Sequence, residues 1–117
     1  NVIFDQVGTP TYAKDLAKAV MDIIQSREFN QIDFKTDIVH FSNEGVCSWY
    51  DFAKTILELT NIQCQIIPIE TKDYPTPATR PHFSVLNKTK IKTIYHLSIP
   101  YWKDSTKRCL TALQGKK

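Results

Sequence analysis

The chain has 117 residues, which is enough for one domain, and 42% of them are hydrophobic, as in ordinary globular proteins. Its apolar runs are too short to cross a membrane, and a formal net charge of +3 is too small for a nucleic-acid-binding stripe. Three cysteines without metal-binding spacing predict a reduced, cytoplasmic protein.

The first elements are the end of a strand and an amphipathic helix. Residues 2–4 have strand character, and because Asn1 already opens inside this strand, we expect a piece of a longer protein. Thr11 is the predicted N-cap of the helix, whose apolar residues follow a one-sided spacing: Ala13, Leu16, Ala17, Val20, Ile23 and Ile24. The free amides at its start make residues 5–11 a candidate contact for a phosphate or a sugar hydroxyl. The plainer interpretation is a capped helix without a ligand.

The clearest structural signal is a strand, a polar turn and a capped helix in the middle of the chain. Residues 38–41 have strand character and lead into a turn at residues 42–45. Ser48 and Asp51 have the spacing of a capping box, in which a hydroxyl and a carboxylate satisfy the first helix amides. The helix that follows is predicted to end near Thr60 and to bury Trp49, Phe52, Ala53, Ile56 and Leu57.

No catalytic constellation accompanies this unit. His40 is interpreted as a sheet or core residue, and Cys47 is a weak candidate for a lowered pKa because it precedes a helix. Tyr50 and Lys54 have the Y-x-x-x-K spacing of a dehydrogenase pair, but they lie opposite the predicted buried face. Because three glycines cannot form a nicotinamide-binding loop, we interpret this spacing as coincidence.

The second half of the chain contains a stiff loop that carries one arginine. Residues 65–69 predict a short strand, which Pro68 confines to a sheet edge or ends. Three prolines stiffen residues 71–81, so that Arg80 lies on an extended path. Such an arginine suits a bidentate contact to a phosphate or a carboxylate, although the spacing alone favours a structural salt bridge.

Two helices are predicted after this loop. Asn87 is the expected cap of a short helix, and Pro100 is expected near the first turn of a last one. Lys88, Lys90 and Lys92 are predicted to form a solvated helix face and not a phosphate site. The apolar side of the last helix is predicted to contain Trp102, Cys109, Leu110 and Leu113.

Three segments follow recognisable motifs. Residues 5–17 match D-Q-x-G-x-P-T-x-x-x-D-L-A, residues 40–53 read H-F-S-N-E-G-V-C-S-W-Y-D-F-A, and residues 74–88 match Y-P-T-P-A-x-R-P-x-x-S-V-L-N-K. Together they resemble the dTDP-4-dehydrorhamnose reductase family, in the order that the family has them. The resemblance covers nearly the whole chain.

The resemblance implies an α/β fold, the C-terminal substrate-binding portion of a Rossmann-type extended short-chain dehydrogenase, with three to four helices and short strands. Residues 1–117 would be a single fragment, a C-terminal substrate-binding domain that lacks the N-terminal dinucleotide-binding domain. The parent enzyme would reduce dTDP-4-dehydro-L-rhamnose to dTDP-L-rhamnose for bacterial cell-surface polysaccharide, and the fragment alone is expected to be inactive.

The resemblance also implies cofactors, partners and site residues. NADPH or NADH would bind to the missing domain, Mg²⁺ is a further candidate in the parent enzyme, and no cofactor or metal is expected in the fragment. The implied partners are the dTDP-sugar substrate and the missing domain, without nucleic acid or membrane; a homodimer stays open. Arg80 is the first implied substrate contact, on the diphosphate, and Gln6 and Thr11 are the second. No catalytic residue is implied in the fragment.

The resemblance also bears on the isolated fragment. Residues 42–46 would close a strand end beside the substrate cleft. If residues 38–41 join the parallel sheet of the missing domain, the isolated chain exposes apolar surface and self-associates.

Other functions stay open at this point. A non-catalytic regulatory subunit of the same fold would lack an intact glycine fingerprint upstream, and a small nucleic-acid-binding domain would show salt-dependent binding. Another nucleotide-sugar reductase or an epimerase is a further alternative. The Y-P-T-P-A and R-P-x-x-S runs favour the rhamnose reductase.

Overall fold

The computed structural model describes residues 1–30 and 36–115. Within these ranges the chain forms five α-helices, one 3₁₀ helix and four strands of two residues each. The elements are β1 (Val2–Ile3), β2 (Val7–Gly8), α1 (Ala13–Gln25), α2 (Arg27–Asn30), β3 (Cys47–Ser48), α3 (Trp49–Thr60), β4 (Pro68–Ile69), the 3₁₀ helix Thr71–Asp73, α4 (Thr89–Tyr95) and α5 (Trp102–Gln114). The predicted α/β class is confirmed, and the helix count exceeds the expected three to four because α2 adds a single turn of four residues.

Two small sheets organise the described part of the chain. β1 pairs in parallel with β4, with Ile3 opposite Ile69, and β2 pairs in antiparallel with β3, with Gly8 opposite Cys47. The strands predicted at residues 2–4 and 65–69 are therefore formed, although they are shorter than expected. Pro68 occupies the first residue of β4, where the missing amide proton does not interrupt a ladder.

Residues 38–41, which have strand character, form no strand in the described part of the chain. None of these residues pairs with another strand among the described ranges, and Ile38 is 71% exposed. His40 is exposed too and lies outside the core of the described chain. A strand needs a neighbour for its backbone N–H and C=O groups, and the described chain places no strand beside this segment.

The N-cap predicted for α1 is also wrong. The helix begins at Ala13 with Tyr12 at the N-cap, and the backbone amide of Tyr12 donates to Oδ1 of Asn43 over 2.8 Å. The hydroxyl of Thr11 instead donates to the carbonyl of Thr9 over 3.3 Å. A side chain from a distant turn thus replaces the local cap. The predicted apolar face exists as a pattern but is exposed at Leu16, Val20 and Ile24.

The capping box predicted for α3 is confirmed. The hydroxyl of Ser48 accepts the amide of Asp51 over 3.0 Å, and the amide of Ser48 donates to the Asp51 carboxylate over the same distance. The helix ends at Thr60, as predicted, with Asn61 in the left-handed conformation. Phe52 faces α5 and meets the ring of Trp102 edge-on, with 6.1 Å between centroids.

The last two helices complete a small core. Oδ1 of Asn87 accepts the amide of Thr89 over 2.9 Å, although Lys88 is the N-cap residue of α4. Pro100 lies two residues before α5, near its first turn, as predicted. The buried apolar residues of the described ranges are Ala19, Cys47, Ile91, Ile99 and Trp102. No helix in these ranges has both the length and the apolar character that a bilayer crossing requires.

The solvated face predicted for the lysines of α4 is wrong at its first position. Lys88 is buried, and its Nζ donates to the carbonyl of Asn43 over 3.0 Å and lies 3.4 Å from the Glu44 carboxylate. Lys92 reaches the same carboxylate at 2.9 Å, and Lys90 pairs with Asp37. These lysines therefore hold α4 against residues 37–44.

Candidate functional site

A cleft of about 380 Å³ opens beside the antiparallel pair of β2 and β3. Its walls come from four segments that are distant in sequence: residues 6–11, 41–42, 47–49 and parts of 80–86. The three side chains that the resemblance implies for the substrate, Gln6, Thr11 and Arg80, all line this one cleft. The fold therefore gathers the implied contacts, although sequence distance alone does not place them together.

The arginine-bearing segment is fixed along β2. The amide of Val7 donates to the carbonyl of His82, and the amide of Ser84 donates to the carbonyl of Val7, each over 2.8 Å. Val7 thus forms a parallel bridge with Phe83. These bonds hold the chain just after Arg80 against the floor of the cleft.

Arg80 is the cation of the cleft. It is exposed, and it makes no hydrogen bond or ion pair with any residue in the described ranges. The structural salt bridge that its spacing favours is therefore not formed within those ranges. The guanidinium of Arg80 presents a positive charge and a planar set of donors to the cleft.

Gln6 and Thr11 are already engaged within the chain. Gln6 is buried, with 8% of its surface exposed, and its Nε2 donates to Oγ1 of Thr71 over 3.2 Å. Thr11 is exposed and donates to Thr9, whose own hydroxyl donates to the carbonyl of Gly45 over 2.7 Å. Gln6 is held at the floor of the cleft, whereas the Thr11 hydroxyl can turn toward a ligand.

The turn at residues 43–45 ties the cleft to the helices. Asn43 is fully buried, and its Nδ2 donates to Asp15, to Ser105 and to the carbonyl of Pro100 over 2.8–3.1 Å. The backbone of Glu44 exchanges hydrogen bonds of 2.9 Å with Pro100 and Trp102. One buried amide side chain therefore connects the turn, α1 and α5.

Two carboxylates around this turn are held ionised. Burial opposes the charge of Asp15, yet hydrogen bonds from Ser105, Asn43 and Arg108 outweigh it and keep the pKa of Asp15 below its ordinary value. The hydrogen bond from Lys92, opposed by burial and assisted by Lys88, lowers the pKa of Glu44. Each carboxylate is thus matched by a cation of the chain, and neither is a free base.

Cys47 does not have a lowered pKa. The thiol is buried at the cleft wall, and burial together with the charge of Asp51 raises the pKa of Cys47 to about 11. A helix N-terminus can stabilise a thiolate, but here the capping carboxylate already occupies that position. The weak prediction of an acidic thiol is therefore wrong, and Cys47 acts as a small apolar side chain.

Trp49 is a cleft residue that the sequence pattern assigned to the buried face of α3. Trp49 is 56% exposed and lines the cleft. The capping box is the sequence signal that could have shown that Trp49 is exposed. Because Ser48 is the N-cap, Trp49 is the first residue of the helix and has no preceding turn to pack against.

The described residues that line the cleft include no histidine and no acidic side chain. Within residues 1–30 and 36–115, no group of three or more histidine, cysteine or acidic side chains could hold a metal ion. Tyr50 and Lys54 do not line the cleft. The glycines at 8, 45 and 115 are too far apart in sequence to form one glycine-rich loop.

Comparison with known proteins gives consistent matches. The family model described as "RmlD substrate binding domain" matches residues 1–115. A dTDP-4-dehydrorhamnose reductase from Sinorhizobium fredii is 37% identical over 122 residues, covering 99% of this chain and 41% of the relative.

Solved structures agree. The structure of a dTDP-4-dehydrorhamnose reductase from Clostridium acetobutylicum superposes with a TM-score of 0.81 and 39% identity, covering 97% of this chain and 38% of that one. A Bacillus anthracis enzyme of the same name, in complex with NADP, has a TM-score of 0.80 and 30% identity, covering 92% of this chain and 36% of its own. The chain thus spans about two fifths of the length of the relatives it matches.

Proposed function

We propose that this chain, which belongs to the RmlD substrate binding domain family, is the sugar-nucleotide-binding part of a dTDP-4-dehydrorhamnose reductase. One observation carries the proposal: Gln6, Thr11 and Arg80 line one cleft, in which the guanidinium of Arg80 has no partner among the described residues. A cleft with an uncompensated arginine suits an anionic ligand with a compact polar body. A dTDP-sugar has both parts.

Each side chain receives a role in this proposal. Arg80 donates to the diphosphate, because its planar fork matches two phosphate oxygens at once. Thr11 and Gln6 contact polar groups of the nucleotide sugar. The exposed indole of Trp49 covers a ring face of the ligand, since aromatic side chains combine a large apolar area with few rotatable bonds.

The redox chemistry lies outside these residues in this proposal. In the parent enzyme, NADPH or NADH bound by an N-terminal domain reduces the 4-keto group of dTDP-4-dehydro-L-rhamnose in the bacterial cytoplasm, with a separate catalytic set. NADP in the Bacillus anthracis relative supports a nicotinamide cofactor. The chain by itself holds the substrate and transfers no hydride.

The missing domain is the proposed partner of this chain. The apolar stripe of α1 (Leu16, Val20 and Ile24) is exposed, as are Met21 and, in α2, Phe29. Such a stripe on an amphipathic helix is normally covered by another part of the protein. Residues 38–41, which find no strand partner in the described chain, would add to the parallel sheet of the same domain.

The test is calorimetric titration of dTDP-L-rhamnose into the full-length protein that contains this chain, with Arg80→Ala beside the wild type. Losing a charge-assisted contact is expected to weaken binding by about 1.5–3 kcal/mol. Arg27→Ala is the matched control, because Arg27 is an exposed arginine on α2 that does not line the cleft. Equal affinity of wild type and Arg80→Ala would remove Arg80 from the site.

A further inference from the structure

The carboxylate of Asp5, which does not line the cleft, contacts both ends of the arginine-bearing loop. At the first end, Oδ1 of Asp5 accepts the hydroxyl of Thr71 over 2.7 Å, and its two oxygens accept the Thr71 amide over 2.9 and 3.1 Å. At the second end, Nδ1 of His82 lies 3.6 Å from Oδ2 of Asp5. Residues 72–81, with Arg80 near their end, therefore start and finish at one side chain.

The backbone of Asp5 strengthens the second contact. Nδ1 of His82 lies 2.9 Å from the carbonyl oxygen of Asp5, and because a carbonyl only accepts, Nδ1 carries the proton. The same N–H group, which carries a partial positive charge, also lies near the Asp5 carboxylate. Asp5 thus holds Thr71 by three hydrogen bonds and His82 by its carbonyl and its charge.

The loop between these contacts has little freedom of its own. Pro75, Pro77 and Pro81 fix their φ angles and keep the residues before them extended. When both ends of a stiff segment are fixed, the position of a side chain near one end is fixed as well. Releasing the Thr71 end lets the loop swing about the bonds between Val7 and residues 82–84, next to Arg80.

We infer that Asp5 is a positioning residue for Arg80: it closes the base of the loop at Thr71 and His82 and so aims the guanidinium into the cleft. Asp5 does not touch the ligand and acts through the loop. This inference rests on the proposed role of Arg80 in binding the diphosphate. It predicts that Asp5 strengthens ligand binding, although its negative charge alone would weaken the binding of an anion.

The direction in which Asp5→Asn changes the affinity distinguishes a positioning role of Asp5 from a purely electrostatic effect. A carboxylate near a bound diphosphate repels it, so on charge alone the neutral variant Asp5→Asn would bind the ligand more tightly. If Asp5 instead positions Arg80, Asp5→Asn binds more weakly. An asparagine turns an amide NH₂ toward the Thr71 amide or toward Nδ1 of His82, where two donors repel, so the loop base opens.

The experiment is a double-mutant cycle on the full-length protein, read by calorimetric titration of dTDP-L-rhamnose. The variants are Asp5→Asn, Arg80→Ala and the double variant. Asp73→Asn is the matched control, because Asp73 is an exposed carboxylate of the 3₁₀ helix whose side chain makes no hydrogen bond in the described ranges. It removes one negative charge, as Asp5→Asn does, but from the loop itself and without opening the loop base.

The inference predicts a several-fold loss of affinity for dTDP-L-rhamnose in Asp5→Asn. Asp73→Asn should bind the ligand as tightly as the wild type or more tightly. The double variant should bind no more weakly than Arg80→Ala, because Asp5 can no longer position a guanidinium at residue 80. His82→Ala removes only the side-chain contact with Asp5 at the second end, where the backbone bonds to Val7 remain, so it should show a smaller loss of affinity. Because the His82 side chain is exposed, this variant is expected to fold. Thermal unfolding is measured in parallel, since general destabilisation lowers Tm without changing Kd.

The outcomes that overturn the inference are distinct from those that overturn the proposed function. If Arg80→Ala binds as the wild type does, the role of Arg80 falls and the inference falls with it. If Arg80→Ala binds weakly but Asp5→Asn and His82→Ala bind normally or more tightly, only the inference falls. Additive losses in the double variant also overturn it, and should Asp5→Asn fail to fold, His82→Ala decides alone.

Discussion

At the scale of single residues, buried polar side chains connect the elements of this chain. Asp15 accepts hydrogen bonds from Asn43 over 2.8 Å, from Ser105 over 2.5 Å and from Arg108 over 2.7 and 2.8 Å. These contacts join α1, the turn at residues 43–45 and α5. A buried carboxylate is tolerated here because each of its oxygens is hydrogen-bonded and a cation is adjacent.

The stability of the chain should therefore depend on the ionisation of Asp15. Burial opposes its charge, but hydrogen bonds from Ser105, Asn43 and Arg108 hold its folded pKa below its ordinary value. A depressed folded pKa contributes stability above the unfolded value and loses it as the pH falls through the folded one. In urea titrations, the free energy of unfolding should decrease below about pH 4, and less steeply in Asp15→Asn.

Asp22→Asn is the control for this pH dependence. Asp22 lies on the exposed part of the same helix and pairs only with Lys18, its neighbour one turn earlier, in the described ranges. An exposed pair of this kind contributes little, so the control should follow the wild-type curve. Parallel acid slopes for Asp15→Asn and the wild type would contradict the account.

Residue-scale prediction from sequence succeeded only where the partner is local. Ser48 and Asp51 stand three residues apart, so their capping box was readable from the sequence. The cap of α1 was not, because its acceptor Asn43 is 31 positions away from Tyr12. A local threonine was the best sequence candidate, and a tertiary contact displaced it.

At the scale of elements, the turn before α3 depends on one glycine. Gly45 has a φ of +82°, a conformation that L side chains rarely adopt. A Cβ built on it would lie 2.2 Å from Cε2 of Tyr101 and 2.9 Å from Cδ1 of Trp102. The turn and the start of α5 are therefore packed too closely for any side chain at this position.

Gly45→Ala should destabilise the chain by about 1–3 kcal/mol, from backbone strain together with overpacking. Urea unfolding measures the loss. Gly115→Ala is the matched control, because its Cβ would meet the Thr111 carbonyl oxygen at an ordinary 3.6 Å and its φ is −75°. Equal stability of the two variants would show that the turn tolerates a side chain.

The spacing of apolar residues in the sequence predicted an amphipathic helix and a segment of strand character, but it did not predict which part of the protein packs against them. The stripe of α1 and the strand character of residues 38–41 are real features of the sequence. In the described chain the stripe is exposed and the strand does not form, because both need a neighbour that these residues do not supply. The cleft was foreseeable only through the resemblance, since no spacing rule brings Gln6 and Arg80 into one cleft.

At the scale of the whole molecule, this chain is about two fifths of the length of its relatives. Its exposed apolar residues are therefore expected to act as an interface in a longer protein. In isolation the chain should bind the dye ANS and self-associate in sedimentation experiments. The double variant Val20→Lys and Ile24→Lys should reduce both signals, because it breaks the stripe of α1.

Gln25→Lys is the control for this comparison, since it adds positive charge to the same helix at an exposed polar position. It should leave dye binding and self-association at wild-type levels. A wild-type chain that sediments as a monomer and does not bind ANS would contradict the proposed interface.

The central claim is that the cleft beside β2 and β3 holds a dTDP-sugar through Arg80. The most direct measurement is a crystal structure of the full-length protein with dTDP-L-rhamnose. The account predicts the guanidinium of Arg80 at about 2.7–2.9 Å from a diphosphate oxygen, as in other charge-assisted bonds. A bound dTDP-sugar that lies outside this cleft, or whose diphosphate does not contact Arg80, would contradict it.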